Sequence, residues 1–423
     1  MNHFLQKIKK GELENILTAM YSGHTGDAVL PRLERLDVRA RTLFPNQTPI
    51  VLSVPGRTEL GGNHTDHNHG IVCAASVDCD MLAMAFPVPE HTITVYSEGF
   101  PKPFSISLAQ LKPNKSERGR TEALIRGMAA LLGEKGYPAG GFCLFLDSTI
   151  PNGSGLSSSA AFEVLVGEII NHLFHDGTIS AIEIARCGQQ AENLFYGKPC
   201  GLMDQIACAF DGVSVIDFND PAVPVVESIP FPAAENGFTL CVVNTGGDHV
   251  GLTADYKAIQ DEMKACARFL GKPVLRDVLY QDFCTALPVM RKHVSDRALL
   301  RAMHFFQENE RVKKMAEYLS RGNFQEFLEE VKKSGLSSWR LLQNCHVAGH
   351  IEKQNTALAL AMTEQFIKND GACRVHGGGF GGTIQCYIRN DRFSGYCRLL
   401  EPVFGTGSIF PVAVRKKAVV RLL

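Results

Sequence analysis

The sequence predicts an α+β protein of two domains that share one ligand cleft, and three observations carry that expectation. At 423 residues the chain is longer than one hydrophobic core usually serves. Short alternating or fully apolar runs crowd its first part, whereas runs of helical period fill much of its second. Between them, Pro151-Asn-Gly-Ser-Gly-Leu-Ser-Ser-Ser-Ala160 opens directly into an apolar helical stripe, which is how a chain builds a cradle for a polyphosphate.

Taken in order, residues 1–45 read as two helices, the second running through Leu30, Leu33, Leu36 and Val38 to Phe44 with charges between. Strands are expected at Ile50 to Val54, Ile71 to Val77, Met81 to Phe86 and Thr92 to Tyr96, joined by turn residues. A helix over Glu122 to Leu132 and a strand from Phe142 to Leu146 lead into the glycine-rich stretch. Ser180 with Glu183 forms a capping box for the helix after it. Pro221, Pro224, Pro230 and Pro232 mark the passage from Asp217 to Pro232 as the domain seam. The expected domains are therefore 1–225, with 1–45 as a helical extension, and 226–423. The second holds a strand from Thr239 to Asn244, a long helical tract from about 253 to 368, a last glycine cluster and closing strands.

Composition narrows the function. With 45% hydrophobic and 21% charged residues the chain should fold into a globular core, and its net charge of −1 gives no reason to expect nucleic acid or an anionic membrane as partner. No uncharged stretch is long enough to cross a bilayer, and the first 30 residues lack the order of a secretory signal, so a cytoplasmic location is expected. Thirteen cysteines without a C-x-x-C pair fit neither a disulfide framework nor a zinc site and read as buried thiols.

Four segments carry the chemistry. In the glycine-rich stretch, Gly153 and Gly155 let successive N–H groups converge on one anion, and the following helix, with Phe162, Val166, Ile169 and Leu173 on one stripe, turns its positive end to the same place. The serines at 157 to 159 add hydroxyls for phosphate or magnesium. A serine-rich surface turn is the plainer alternative for this segment alone. The segment Pro55-Gly-Arg-Thr-Glu-Leu-Gly-Gly-Asn-His-Thr-Asp-His-Asn-His69 suggests a metal site by its histidines, but a glycine-packed loop lacks the fixed spacing of metal ligands, and its mixture of Arg, Asn, His and Asp suits a polyhydroxylated ligand better. In Gly197-Lys-Pro-Cys-Gly-Leu-Met-Asp-Gln205, Asp204 sits in an apolar run, so a carboxylate there calls for a partner, with Arg57 the candidate. Last, His376-Gly-Gly-Gly-Phe-Gly-Gly382 contains G-x-G-x-x-G, yet Thr383 to Ile388 reads as a strand, which rules out a dinucleotide fingerprint and leaves a glycine hinge.

With these segments in this order the chain resembles the galactokinase branch of the GHMP small-molecule kinases, from about Val51 to the C-terminus. Motif one is matched by Pro55-Gly-Arg57 and His64-Thr-Asp66, motif two by Gly155-Leu-Ser-Ser-Ser-Ala160, motif three by Gly377-Gly-Gly-Phe-Gly-Gly382, and Cys200-Gly-Leu-Met-Asp-Gln205 is similar to its galactokinase counterpart. The resemblance implies a two-domain GHMP kinase fold, with an N-terminal domain like domain 2 of ribosomal protein S5 and a C-terminal ferredoxin-like domain. It implies ATP-dependent phosphorylation of the anomeric hydroxyl of a sugar by a monomer. In that reading Asp204 takes or holds the hydroxyl proton and Arg57 keeps the carboxylate ionised. ATP phosphates rest on Gly153, Ser154, Gly155, Leu156, Ser157 and Ser158, with Gly378 and Gly379 from motif three. Mg2+ falls to Ser159 and Glu192, and the sugar to Asn63, His64, Asp66, Gly201 and Tyr256.

Motif one also departs from the family. Asn63 stands where a glutamate normally precedes His-Thr-Asp, Glu59 stands for an asparagine, and His67 for a tyrosine. A glutamate at 63 would repel a carboxylate at C6 of the sugar by roughly 1–4 kcal/mol at about 4 Å. Neutral Asn63 therefore opens galacturonate, or another C6-modified galactose, as an alternative substrate. Asp248, in place of a usual arginine, supplies no cation for it, and galactose stays first. A catalytically inactive sugar and ATP sensor is the remaining alternative, although the serines such regulators lack are all present here.

Overall fold

A computed structural model describes residues 2–21, 26–151, 153–247, 252–347, 349 and 351–423. Asn152 and Asp248, both named above, lie outside the described residues. The chain begins with α1 (Asn2–Lys9), α2 (Glu14–Met20) and α3 (Gly26–Arg41). Three helices stand where two were expected, because Gly11, at φ +73°, ends the first one early. Along α3 the buried stripe is Val29, Leu33, Leu36 and Ala40; Val38, two residues from Leu36, falls on the far side of a 3.6-residue turn and faces solvent.

The first sheet comes next, with β1 (Ile50–Gly61), β2 (Ile71–Pro87), β3 (Thr92–Ser97), β4 (Phe104–Ser107), α4 (Thr121–Glu134), β5 (Phe142–Ser148), α5 (Ser158–Phe174), α6 (Ala181–Gln190), α7 (Met203–Ala209), β6 (Val213–Asp217) and β7 (Val225–Ile229). The second part holds β8 (Phe238–Asn244), α8 (Thr253–Phe269), α9 (Tyr280–Met290), α10 (Asp296–Ser320), α11 (Phe324–Ser337), α12 (Asn355–Ile367), β9 (Gly371–His376), β10 (Thr383–Arg389), α13 (Phe393–Phe404), β11 (Ile409–Val412) and β12 (Val420–Arg421). Among the described residues no helix is long and apolar enough to cross a membrane.

Two strands run further than expected. The second is unbroken over 71–87 rather than split in two, and β1 continues through the Gly-Arg motif instead of ending at Val54. Its pairing with β2 shifts register between Pro55 and Arg57 and again between Glu59 and Gly61, so the proline and glycines are absorbed as bulges rather than ending the strand. A motif read as a loop is thus strand, and Arg57, Thr58 and Glu59 are held by sheet hydrogen bonds.

The first sheet runs β12-β1-β2-β5-β3-β4, with β6 paired to β2 and β7 to β6. Both its faces are covered, and strand periodicity divides the side chains between them. Met81, Ala83 and Ala85 of β2 join the core under α4 and α5, whereas Leu82, Met84 and Phe86 meet α1 to α3 on the other face. The second sheet, β11-β8-β10-β9, is antiparallel throughout, which is the strand order of a ferredoxin-like layer. One core cluster runs from β1 and α5 across to Phe324 and Phe327 of α11 and Tyr387 of β10, so the two parts share apolar contact.

The helical extension is fixed by buried charge. Asp80, fully buried on β2, accepts from Arg32 Nη1 at 2.7 Å and from Tyr21 and Ser53, and Arg415 from the far end of the chain stands 3.6 Å away. Burial would raise the Asp80 pKa, but the two guanidinium groups hold it below the usual carboxylate range. Arg32 also donates to Asp147 of β5 at 3.1 Å, tying α3 to two strands. Arg32→Ala is expected to destabilise the fold by about 3–5 kcal/mol, because it leaves buried carboxylates short of a partner. Urea unfolding measures this, and a loss below about 1 kcal/mol would show that the extension is held by its apolar face alone.

Candidate functional site

Four elements deliver the candidate site. From β1, Arg57 donates through Nε and Nη2 to Asp204 Oδ1 and Oδ2 at 2.7 and 2.6 Å, a two-point pair in which Arg57 is buried. Asp204 lies in the first turn of α7, and the glycine-rich loop before α5 closes the third side. Arg57 Nη1 donates to the Gly155 carbonyl and the Arg57 amide to the Leu156 carbonyl at 3.1 Å, while Ser157 Oγ donates to Asp204 Oδ2. Strand, loop and helix therefore converge on one carboxylate. Burial would raise the Asp204 pKa, but the Arg57 charge and the hydrogen bonds from Arg57 and Ser157 bring it down to about 2. The same pairing raises the Arg57 pKa against the effect of its own burial.

The loop has the backbone that its sequence suggests. Gly153 and Gly155 sit at φ +68° and +69°, a region closed to most residues, and Ser157 takes φ +56° just before the helix begins at Ser158. Ser154 Oγ donates to the Pro151 carbonyl at 2.7 Å, Leu156 is buried, and Ser158 is exposed at the helix start. Ser157 does not point away toward a phosphate; its hydroxyl is spent on Asp204.

Beside this cluster Ser159 Oγ donates to Glu192 Oε1 at 3.2 Å, and Lys198 Nζ donates to the same oxygen at 2.9 Å. Glu192 lies in a wide-turn segment, Ala191–Tyr196, that follows α6. Gln205 Nε2 bridges Glu192 Oε2 at 3.3 Å and Glu163 Oε2 at 2.9 Å. Burial, and then the Glu192 charge, raise the Glu163 pKa well above the usual range. Its Oε1 and Gln205 Oε1 are buried without a hydrogen-bond partner. Serine hydroxyl with buried carboxylate is a hard oxygen set of the kind Mg2+ takes, with one or two protein ligands and the rest from phosphates. Among the described residues no cluster of three or more His, Cys, Asp or Glu forms a self-sufficient cage.

The expected sugar residues fall into two contacts, Gly201 with Asp66 and His64 with Tyr256. Gly201 is packed so closely on Asp66 that a Cβ there would stand 1.7 Å from Asp66 Oδ2, which only glycine allows. Asp66, His67, Gln189, Cys200 and Gly201 line a hollow of about 180 Å³. His64 Nε2 bonds the Gly378 carbonyl at 3.0 Å, Tyr256 donates to the Gly379 carbonyl at 3.2 Å, and the two rings lie 6.4 Å apart. Burial, and then His67, lower the His64 pKa to about 3, so the ring is neutral and its Nε2 carries the hydrogen. Gly378 and Gly379 thus turn their carbonyls to His64 and Tyr256, two of the residues expected to hold the sugar. What reaches the loop from that segment is His376, whose Nδ1 lies 3.0 Å from where a Gly155 Cβ would be. A larger hollow of about 760 Å³, beside α10 and Leu275, includes none of these residues.

Residues 123–212 match the family described as GHMP kinases N terminal domain, and residues 41–87 match the galactokinase galactose-binding signature. The chain thus carries a GHMP kinase signature and a galactokinase signature in separate segments. By its second signature it is a galactokinase-like phosphotransferase. Its fold is shared with Lactococcus lactis galactokinase complexed with galactose, at a TM-score of 0.79 and 23% identity over 92% of this chain and 99% of that one. Methanococcus jannaschii mevalonate kinase follows the same fold at a TM-score of 0.62 and 14% identity, over 88% and 99% of the two chains. At those identities the likeness is one of fold.

Asn63 is where this chain departs from its sequence-based expectation. It is fully buried, and its amide is turned inward: Nδ2 donates to Glu59 Oε1 and Oε2 at 3.1 and 3.2 Å and to the Gly377 carbonyl at 2.7 Å, while Oδ1 accepts from Asn344 Nδ2 at 2.8 Å. Glu59 is in turn paired with Arg374 Nη2 at 2.5 Å. The asparagine and glutamate that the family pattern places at 59 and 63 have exchanged positions and bond each other. Glu59, Arg374, Asn344, Glu163, Gln205 and Lys198 were missed by sequence reasoning. A glutamate inside the apolar run of β1 was the available signal for Glu59, but its partner is 315 residues away.

Asn63→Glu alone sets two carboxylates in contact inside a buried site, whereas Glu59→Asn with Asn63→Glu restores an amide–carboxylate pair. The summed losses of the two single variants should exceed the loss of the double variant by about 1–3 kcal/mol in urea unfolding. Additive losses would mean that positions 59 and 63 do not act as one exchanged pair.

Proposed function

We propose that this chain is an ATP-dependent sugar 1-kinase that phosphorylates the anomeric hydroxyl of galactose or a close derivative. The observation that carries the reading is the Asp204 carboxylate, held by Arg57 at two points and bonded to Ser157 of the glycine-rich loop. Gly201, expected to bear on the sugar, stands three residues before Asp204 in the chain, and the loop expected to hold the nucleotide is bonded to that carboxylate. In-line phosphoryl transfer demands such a juxtaposition, because catalysis there is mostly positioning and charge stabilisation.

In this reading the sugar lies against Asp66, Gly201, His64 and Tyr256 with its C1 hydroxyl on Asp204. An acceptor-only carboxylate orients that hydroxyl's hydrogen and leaves its oxygen lone pair toward the γ-phosphorus. With a pKa of about 2 Asp204 is a weak base, so it holds the hydrogen first and receives the proton late, as the new P–O bond forms. Arg57 keeps Asp204 ionised, and the loop amides around Gly153 to Ser158 cradle the phosphates at the start of α5. Ser159 and Glu192 would hold Mg2+, which when bound offsets the phosphate charge.

Position 63 does not decide between a hydroxyl and a carboxylate at C6, because Asn63 is fully buried and its amide is committed to Glu59, Gly377 and Asn344. The residues expected to hold the sugar bring the Asp66 carboxylate and a neutral His64 and no cation to pair a uronate. Galactose therefore stays ahead of galacturonate.

The test is ADP release with MgATP and a panel of aldoses, uronates and amino sugars, run on the wild type and Asp204→Asn. Turnover is expected with galactose first, and Asp204→Asn should slow it by about 10²- to 10⁴-fold while sugar and ATP still bind. No turnover with any sugar, together with sugar-dependent thermal stabilisation, would instead identify a sensor. The pH profile adds a check with a definite sign. The folded pKa of Asp204 lies below its ordinary 3.8, so the carboxylate's contribution is present in full above that value and is lost only as pH falls through about 2. An acid limb of kcat/KM above about pH 4 that disappears in Asp204→Asn would refute the ion-paired state assigned to it.

A further inference from the structure

Lys198 has no part in the roles described so far, yet it touches the centre of the site. It follows Gly197, at φ +88°, and precedes Pro199, so the backbone around it is fixed while its side chain remains 62% exposed. Its Nζ donates to Glu192 Oε1 at 2.9 Å, the oxygen that also accepts from Ser159. An ammonium there shares the Glu192 oxygen that a metal ion held by Ser159 and Glu192 would need.

The charges around it form a definite pattern. Three carboxylates, Asp204, Glu192 and Glu163, stand close together. Arg57 serves Asp204, Gln205 ties Glu163 to Glu192, and Lys198 is the cation on Glu192. Arg57 cannot be redeployed, because it is buried, bonded at two points to Asp204, and held through its third nitrogen by the Gly155 carbonyl. Lys198 differs on each count: it makes one bond, carries a flexible four-carbon stem and reaches solvent.

We propose that Lys198 is a displaceable counter-ion of the metal site, which holds Glu192 while no nucleotide is bound and moves onto the nucleotide's phosphates when Glu192 takes a divalent cation. This rests on the reading of Ser159 and Glu192 as metal ligands. A bare divalent ion finds one carboxylate and one hydroxyl here and must compete with an ammonium already in place. An ion arriving with a triphosphate brings its own oxygen ligands and also offers the released ammonium a new anion. Metal and nucleotide are therefore favoured together over metal alone, and Lys198 contributes a positive charge to the phosphates that Arg57 cannot.

The test uses the full chain and Mn2+ as the probe, with binding read by electron paramagnetic resonance in the absence of nucleotide. Lys198→Met, at an exposed side chain, should bind Mn2+ about tenfold or more tightly than the wild type, and the added Glu192→Gln change should abolish the gain. The same Lys198→Met chain should bind a non-hydrolysable ATP analogue with Mg2+ about tenfold more weakly, with Lys198→Arg recovering most of that loss. Unchanged Mn2+ binding in folded Lys198→Met overturns the proposal. Mn2+ binding that survives undiminished in Glu192→Gln overturns the metal assignment beneath it. Neither measurement depends on turnover, so failure of the sugar-kinase reading in the substrate panel would be seen separately.

Discussion

The site is organised by one ion pair, buried Arg57 with half-buried Asp204. Taking a guanidinium and a carboxylate out of water costs several kcal/mol each, on the order recovered only when geometry is good and the remaining polar atoms are bonded. Here those conditions are met by three separate parts of the chain. Strand β1 supplies the arginine, α7 the aspartate, and the loop before α5 supplies Ser157 Oγ and the Gly155 carbonyl. Because each partner is needed to satisfy the others, the pair fixes the distance between the loop and the carboxylate more tightly than apolar packing of α5 and α7 could.

A second pair, Glu59 with Arg374, performs the same service between the two sheets. Glu59 lies two residues from Arg57 on the same strand, and Arg374 belongs to β9 of the other sheet. Around it Gln385 donates to the Glu59 carbonyl at 2.9 Å, His304 reaches the Asn63 carbonyl at 2.9 Å, and Asn344 holds Asn63. Burial would raise the Glu59 pKa, and Arg374 works against that shift without fully cancelling it. The bulges on either side of Arg57 and Glu59 gain their meaning from this arrangement. They let a strand that is hydrogen-bonded along its length point one charge at Asp204 and the next at the neighbouring sheet.

Much of this was legible in the sequence, and what was not has a common cause. The glycine loop, the helix after it, the antiparallel strands around Thr239 and Thr383, and the Arg57–Asp204 partnership all rest on local pattern or on a lone charge in an apolar run. The extent of β1 was hidden because Pro55 and Gly56 are ordinary strand breakers, and only pairing with β2 shows them absorbed as bulges. The family resemblance places Asn63 toward the sugar, because it occupies the position of the glutamate that normally precedes His-Thr-Asp. Its inward turn depends on Asn344, Gly377 and Glu59, two of which lie about three hundred residues along the chain. Long-range polar partners leave no periodic trace, so a buried network is the part of a site that single-sequence reading recovers least.

The depressed pKa of Asp204 bears on how such a site can work. A general base is most effective when its pKa lies near the working pH, and a carboxylate at about 2 is far from that optimum. Were proton removal the difficult step, the pairing with Arg57 would be self-defeating, since it weakens the base in order to keep it charged. The phosphoryl transfer proposed for this site resolves the conflict. Its transition state is loose, the attacking oxygen carries little new bond, and its hydroxyl becomes strongly acidic only as the bond to phosphorus completes. What the reaction requires early is an anion that fixes the hydroxyl's direction and never loses its charge, and a guanidinium bonded at two points guarantees that. Arg57 therefore exchanges base strength for constancy of charge and position, which is the better trade for a step limited by alignment.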